Sequence, residues 1–503
     1  MAKGSDTRGR IRNVGLNTSY QIGSQVAPAI AAIVAIPFLL RHLGSEVFGI
    51  VTIFSTALAY FTMLDLGLGR AATRFIAQSL EADRPDDLRR YFWGSIVLLT
   101  GVGGITTILA LAAVPTVVSS LLKIPPLYIH SASESLYIIC GTIPLVTLMA
   151  TLRGFLEASG RFALISIITG CGGVGLYLVP ALIVSMGGEL VGVAAALCLV
   201  RVGMCAALAL GCLFLDNRPS LQPVFDVISV KRMLSFGGWL SVSNIVGTAT
   251  VYCDRLLLGA CVGMAAVTSY GMPLDVISRL QVLIGSFCAV LFPLMSRLDE
   301  SGSHQFQTVY RGAIAVALSL MTVVATWSAM AAPGVMKLWL GGRSTSDSVF
   351  AAQVFLAGAV VQSTASIAWT ALHARGRSDL TAWIHLAEFP LYCGVFYFAA
   401  TRYGVRGAAL AWFGRGTVDF LCMAVLLRLQ RRGDTSGTPP ELVAAVVSLG
   451  ILVLAFLPKA YALPIAVIIC CLTLLWTWRM LLDAPTRLRV VRLMLRRRDP
   501  CPS

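Results

Sequence analysis

Six charged residues fall near the middle of long apolar runs: Arg201, Asp275, Arg279, Glu388, Arg415 and Asp419. Asp275/Arg279 and Arg415/Asp419 are each spaced i,i+4, which on a helix sets both partners on one face. Two readings stand open for these pairs. Each pair neutralises itself in a dry setting, or the faces border an aqueous cavity and offer their arginines to an anion. A guanidinium suits phosphate because its planar fork donates two hydrogen bonds. His385 precedes Glu388 by three residues. It makes a protonatable coupling site with that carboxylate, since imidazole titrates near neutral pH, or else a buried hydrogen-bonded pair. Nearer the ends of their runs, Asp254 and Arg255 form either a gate that pairs with Arg41 or Glu46, or a plain interfacial cap. Asp65, in LDLGLGR, either pairs with Arg70 or Arg74 at an inner gate or marks a helix end.

The elements that must carry these residues are membrane spans. Of 503 residues, 57% are hydrophobic and 13% charged, with a mean hydropathy of +0.81; a soluble chain of this length carries about 25% charged residues. About fourteen apolar runs reach the ~20 residues that cross ~30 Å of hydrocarbon. The first two run over 17–40 and 47–69, the seventh and eighth over 233–259 and 264–296, the eleventh and twelfth over 380–401 and 405–429, and the last two over 441–459 and 461–482. A charge at a helix centre costs about 2.5–3.5 kcal/mol, so six facing lipid would cost on the order of 15–20 kcal/mol. That exceeds the stability of a typical domain. The six therefore face protein or water. Pro28 and Pro37 make the first span the expected bending element.

Charge sets the orientation. With both termini in the cytoplasm, about 28 of the Lys and Arg residues lie in the termini and inner loops, about 8 in outer loops and about 3 within spans, and inner loops are the ones that retain positive charge. The net charge of +15 is accounted for by this topology, and a nucleic-acid partner is not expected. The basic N-terminus precedes an apolar run longer than a signal-peptide core, so the first span is read as retained. The tail RLRVVRLMLRRR is either a solvated orientation signal or an amphipathic segment on anionic membrane lipid. The thirteen Cys sit mostly inside apolar segments with no metal-ligand spacing, so they are read as small apolar filler. No cofactor is expected.

Two segments repeat. FLEASGRFALISIITG followed by GGELVGVAAALCLVRVG parallels LHARGRSDLTAWIHLAEFP followed by RYGVRGAALAWFGRGTVDF. Gly160-Arg161 aligns with Gly376-Arg377, and Arg201 with Arg415. These are spans 5–6 and 11–12, six apart and therefore parallel, which implies two lobes of six helices with the substrate path between them. The expected division is residues 1–220 (spans 1–6), 221–432 (spans 7–12), and 433–503 for two appended spans and the basic tail.

LLRHLGSEVFGIVTI with LDLGLGRAATRFIA, YCDRLLLG with LFPLMSRL, and LHARGRSDL with YGVRGAALAW, in this order and spacing, resemble the Wzx-type polysaccharide flippases. These belong to the polysaccharide transport family of the multidrug/oligosaccharidyl-lipid/polysaccharide (MOP) exporter superfamily. The resemblance covers about residues 10–430. It implies an all-α, MATE-like fold in the cell inner membrane. It also implies a transporter that moves an undecaprenyl-diphosphate-linked oligosaccharide outward by alternating access, for surface polysaccharide such as lipopolysaccharide or exopolysaccharide. Other polysaccharide assembly proteins are the partners it implies. A lipid-linked peptidoglycan precursor is another possible cargo.

Two other classes compete. A multidrug or cation antiporter of the same superfamily needs uncompensated carboxylates in its cavity, whereas the mid-depth charges here are mixed and rich in arginine. An enzyme acting on the same lipid needs acidic catalytic groups and a sizeable external domain. The outer loops here are short, and no nucleotide-binding motif occurs, so no enzymatic activity is expected.

Overall fold

In a membrane every backbone N–H and C=O must be satisfied within its own segment, and for long apolar runs the helix is the solution. The structure, a computed structural model, describes residues 3–63, 68–214, 222–224, 226–300, 304–429, 440–454, 456–457 and 459–482. Among them no strand occurs. The helices in chain order are α1 (Lys3–Met63), α2 (Leu68–Glu81), α3 (Pro85–Thr116), α4 (Ile129–Cys140), α5 (Ile143–Ala158), α6 (Phe162–Ser185), α7 (Leu190–Leu213) and α8 (Val227–Cys261), then α9 (Met264–Ser278), α10 (Gln281–Glu300), α11 (His304–Leu340), α12 (Ser346–Ala374), α13 (Ser378–Leu429), α14 (Pro440–Leu454) and α15 (Lys459–Leu482).

Ten helical stretches among the described residues are long and apolar enough to cross a membrane. Two of them contain two spans each. α1 leaves helical geometry at Gly44 (φ 82°, ψ 167°) and α13 at Gly404 (φ 61°, ψ −140°), so each folds into two arms. With these arms counted separately, and with α8 and the shorter α14, the described helices occupy every span read from the sequence. Pro28 and Pro37 lie within the first arm of α1, whose backbone departs from helical φ/ψ at Gly44.

The described residues form two compact units, Met1–Thr268 and Ser269–Ser503. In the first, α8 packs on α1, α2 and α3, which places the seventh span with this unit. Asp226 caps α8, accepting hydrogen bonds from the N–H groups of Ile228 and Ser229 and from the Ser229 hydroxyl at 2.5 Å. The hydroxyl bond, the larger influence, and the capping amides hold its carboxyl below the usual carboxylate range. The glycine-rich stretch GCGGVG lets α6 approach α1: added side-chain carbons at Gly170 and Gly173 would meet Ser24 and Pro28. Amphipathic α2 buries Ala71, Ala72 and Ile76 in a core with Phe92, Phe155, Leu156, Leu208 and Met233.

In the second unit α12 is the pillar, buried along most of its length. A capping box of Thr345 and Ser348 starts it. Rings interlock around it: Tyr270 with Phe355 at 4.9 Å, Phe355 with Trp412 at 5.1 Å and Tyr392 with Phe396 at 5.6 Å. Buried Glu441 of α14 accepts hydrogen bonds from Arg428 at 3.0 Å and Tyr310 at 3.2 Å, tying the appended helices to α11 and α13.

The repeat reappears as one backbone motif formed twice. At the end of α5, Arg161 N–H donates to Leu156 C=O (2.9 Å) and Gly160 N–H to Glu157 C=O (3.0 Å). At the end of α12, Arg377 donates to Leu372 (3.1 Å) and Gly376 to His373 (3.0 Å). Both are Schellman caps, which need a left-handed residue at the turn. Gly160 has φ 71° and Gly376 φ 70°.

The single span expected over 264–296 is broken. α9 ends at Ser278 and α10 begins at Gln281. Arg279 and Leu280 N–H groups donate to Val276 and Ile277, three residues back, at 3.2 and 3.0 Å. The turn tightens to 3₁₀ spacing. The Gln281 amide then donates to Ala359 C=O of α12 at 3.1 Å, and its oxygen accepts from Ser363 at 3.4 Å, fixing where the helix restarts. Asp275 and Arg279 therefore do not share one continuous helix.

Candidate functional site

The second unit gathers its ionisable residues through α13. On the first arm His385, Glu388 and Tyr392 follow at i, i+3 and i+7, one helical face. On the second arm Arg415 and Asp419 follow at i, i+4. The fold at Gly404 sets the arms side by side. His385 Nε2 then lies 3.3 Å from Asp419 Oδ1. The Arg415 guanidinium lies over the Tyr392 ring, 5.2 Å from its centroid, a cation–π distance. Glu388 interacts electrostatically with Asp419, Arg415 and His385. Glu388 is 8% and Asp419 6% exposed.

These carboxylates are poorly satisfied. Neither oxygen of Glu388 has a hydrogen-bond partner among the described residues, nor does Asp419 Oδ1. The His385–Asp419 contact is close enough for an ion pair but lacks hydrogen-bond alignment. Buried polar groups are almost always paired, so a carboxylate without a hydrogen-bond partner beside a guanidinium and an imidazole makes this cluster the candidate site.

Beside this cluster lies a cavity of about 570 Å³, a size that takes a small-molecule ligand. Three helices wall it: α10 through Cys288 and Phe292, α12 through Gln362 and Trp369, and α13 through His385 and Asp419. On α12 the lining positions recur every three or four residues, as one helix face must. Trp369 is braced from behind by His373, with ring centroids 3.8 Å apart, and His373 Nε2 is 3.0 Å from Thr381 Oγ1.

Of the residues singled out in the sequence, the structure brings together His385, Glu388, Arg415 and Asp419. Arg201 is half-buried on α7 in the first unit and donates to Leu197 C=O of its own helix at 3.5 Å. Asp275 is half-buried on α9, and Arg279 is exposed in the break after it; neither lines the cavity. Asp254 is fully buried and Arg255 7% exposed, with Asp254 Oδ1 accepting the Arg255 backbone N–H at 2.7 Å. Arg41 and Glu46 are exposed on either side of the Gly44 fold, and Arg74 is exposed on α2. Arg70 is on α2 with its side chain outside the described residues, and Asp65 and the basic tail also lie outside them.

Sequence reasoning missed Trp369, Tyr392 and the polar stripe Gln362, Ser366, Thr370. The four-residue spacing of that stripe on an apolar span was the available signal. Among the described residues no group of three or more His, Cys, Asp or Glu is placed to hold a metal ion.

An all-helical membrane protein of this architecture has the MOP-superfamily fold. The structure resembles an inward-facing multidrug resistance MATE family transporter of that superfamily (TM-score 0.69, 17% identity, 80% of this chain and 95% of the other). It also resembles the lipid II flippase MurJ in an inward closed conformation (TM-score 0.68, 12% identity, 93% of this chain and all of the other). Residues 14–299 match the family described as polysaccharide biosynthesis protein, and the chain belongs to that family. It is 27% identical over 423 residues to the "Putative O-antigen transporter" of Shigella flexneri, covering 81% of this chain and 96% of that protein.

Proposed function

We propose that this protein is a flippase that moves an undecaprenyl-diphosphate-linked oligosaccharide across the inner membrane by alternating access, for assembly of a surface polysaccharide. The family membership, together with likeness to a named O-antigen transporter along nearly its whole length, carries this reading. Transport needs no bond to be made or broken, so the protein acts as a carrier and not as an enzyme. Its cargo partner is the lipid-linked glycan, and the polysaccharide assembly machinery receives the product. The repeat supports lobes over residues 1–220 and 221–432, with 433–503 appended; by this division the seventh span belongs to the second lobe, although α8 packs on α1, α2 and α3. The bias of about 28 to about 8 basic residues supports an inner-membrane chain with both termini in the cytoplasm.

Within this reading Arg279, exposed where the helix is interrupted, is assigned to the diphosphate. Arg415 is the next candidate for this role, and Arg201, bonded to Leu197 of its own helix, the last. Asp275 and Asp419 balance these charges. Glu388 and His385 are assigned to ion coupling, because a buried carboxylate without a hydrogen-bond partner among the described residues shares one helical face with an imidazole that lies 3.3 Å from Asp419. Arg41, Asp65, Arg70, Arg74, Asp254 and Arg255 remain gate candidates.

Deletion of the gene tests the function. Lipid-linked oligosaccharide should accumulate in the inner leaflet, and wild-type protein should restore the surface glycan. Arg279→Ala should restore it roughly 10–100-fold less well, the loss of a charge-assisted hydrogen bond. Unchanged lipid-linked pools in the deletion strain would overturn the assignment. A multidrug or cation antiporter is the second reading, favoured by the carboxylate that lines the cavity. It requires the deletion to raise drug susceptibility with surface glycan intact.

A further inference from the structure

The cavity of the second unit has a donor–acceptor balance unlike that of a phosphate site. No Lys or Arg is among the described residues that line it. The Ser366 hydroxyl donates to Gln362 C=O at 2.8 Å, and the Thr370 hydroxyl donates to Ser366 C=O at 2.7 Å. With their hydrogens turned to the helix backbone, both oxygens face a ligand as acceptors. Asp419, which lines the cavity, is acceptor-only when ionised. Gln362 offers both an acceptor and donors. His385 and the Cys288 thiol, also in the lining, add donors, and the His385 Nε2 is turned to Asp419 at 3.3 Å. Acceptor positions in the polar lining still outnumber the donors left for a ligand. The diphosphate diester of a lipid-linked glycan, fully ionised at neutral pH, is itself acceptor-only and carries the same sign of charge as Asp419. A ring bearing several hydroxyls supplies the missing donors.

The apolar lining fits the same ligand. Trp369 is 42% and Phe292 44% exposed. Trp369 is held in place by the His373 ring and, through it, by Thr381. A rigid aromatic face beside a carboxylate and an amide matches the two sides of a pyranose, its C–H face and its hydroxyl rim.

We infer that the cavity between α10, α12 and α13 is a saccharide subsite. It holds one uncharged, hydroxyl-bearing sugar ring of the cargo against Trp369, with Asp419 accepting its hydroxyls, and the diphosphate is bound elsewhere. The inference rests on the flippase reading and divides the labour within it.

The test uses the full-length chain in lipid nanodiscs. One probe is the oligosaccharide released by mild acid from the lipid-linked pool of the source cells; the other is inorganic pyrophosphate. Calorimetry should show oligosaccharide binding that weakens about tenfold or more in Asp419→Asn and in Trp369→Ala, while pyrophosphate binding is unchanged in Trp369→Ala. In the wild-type chain the oligosaccharide should protect the lining residue Cys288 from alkylation, read on its peptide by mass spectrometry, and pyrophosphate should not. This second measurement stands even where a variant fails to fold. Protection of Cys288 by pyrophosphate alone, no protection by either probe, or wild-type oligosaccharide affinity in both folded variants would overturn the subsite. Those outcomes leave the flippase reading intact, since that reading fails on the unchanged lipid-linked pools of the deletion strain.

Discussion

The α5–α6 hairpin of the first unit and the α12–α13 hairpin of the second begin from the same turn and end in different chemistry. Gly160 and Gly376 adopt nearly the same φ, and the residues around them make the same pair of capping bonds. Twelve residues beyond those glycines the first unit has Gly172 and the second has Glu388. Arg201 and Arg415 correspond, but four residues further on the first unit has Cys205 and the second has Asp419. In the first unit the space is closed: the Met204 side chain lies where a side chain at position 172 would project. In the second unit the corresponding positions carry two carboxylates, with a cavity alongside. A repeated scaffold therefore fixes where helices turn, while a few substitutions on its facing surfaces decide which copy holds polar chemistry.

The sharpest way to break this contrast is to move the carboxylate. Gly172→Glu must displace Met204 and bury a polar group without a partner, at about 2–6 kcal/mol. Membrane yield and unfolding temperature in detergent should fall well below wild type. Glu388→Gln, isosteric at a position that already holds a side chain, should stay within about 1 kcal/mol of wild type. A Gly172→Glu protein as stable as wild type would show that the first unit is not packed shut.

The paired arginines give the next largest effect. Arg415→Ala should lower rescue of surface glycan roughly 10–100-fold, the loss of a charge-assisted contact worth about 1.5–3 kcal/mol. Arg201→Ala, which loses a bond to its own helix, should cost less than about threefold. Equal losses would place both arginines in the same role. Smallest and most alike are the turns themselves. Gly160→Ala and Gly376→Ala should each lower stability by about 1–2 kcal/mol, because a Cβ is strained at positive φ. Matching shifts in unfolding temperature sharpen the comparison, and a clear inequality breaks it.

Much of the fold was legible in the residues. The spans follow from apolar length, and the repeat follows from Gly160-Arg161 and Gly376-Arg377, because a Schellman turn leaves a local signature. The break at Arg279 was not legible. Nothing in MPLDVISRLQVLIG separates a continuous helix from one pinned at Gln281 by the backbone of α12. Of the site, the i,i+4 spacing of Arg415 and Asp419 was readable, as was the neighbourhood of His385 and Glu388. That these four meet was not, because the two arms of α13 join through Gly404, whose dihedral angles set the meeting. Trp369 went unnoticed because an aromatic residue in a span is ordinary until a cavity opens beside it.

By itself the sequence determined that the chain crosses a membrane many times, where its helices turn, and that a handful of charges must avoid lipid. These are decided by local free energies: apolar length, backbone satisfaction and the cost of a bare charge in hydrocarbon. Only the tertiary structure decided which charges share a pocket and which stand alone. Proximity between residues far apart in the chain depends on how helices fold back and pack, and no local preference encodes that.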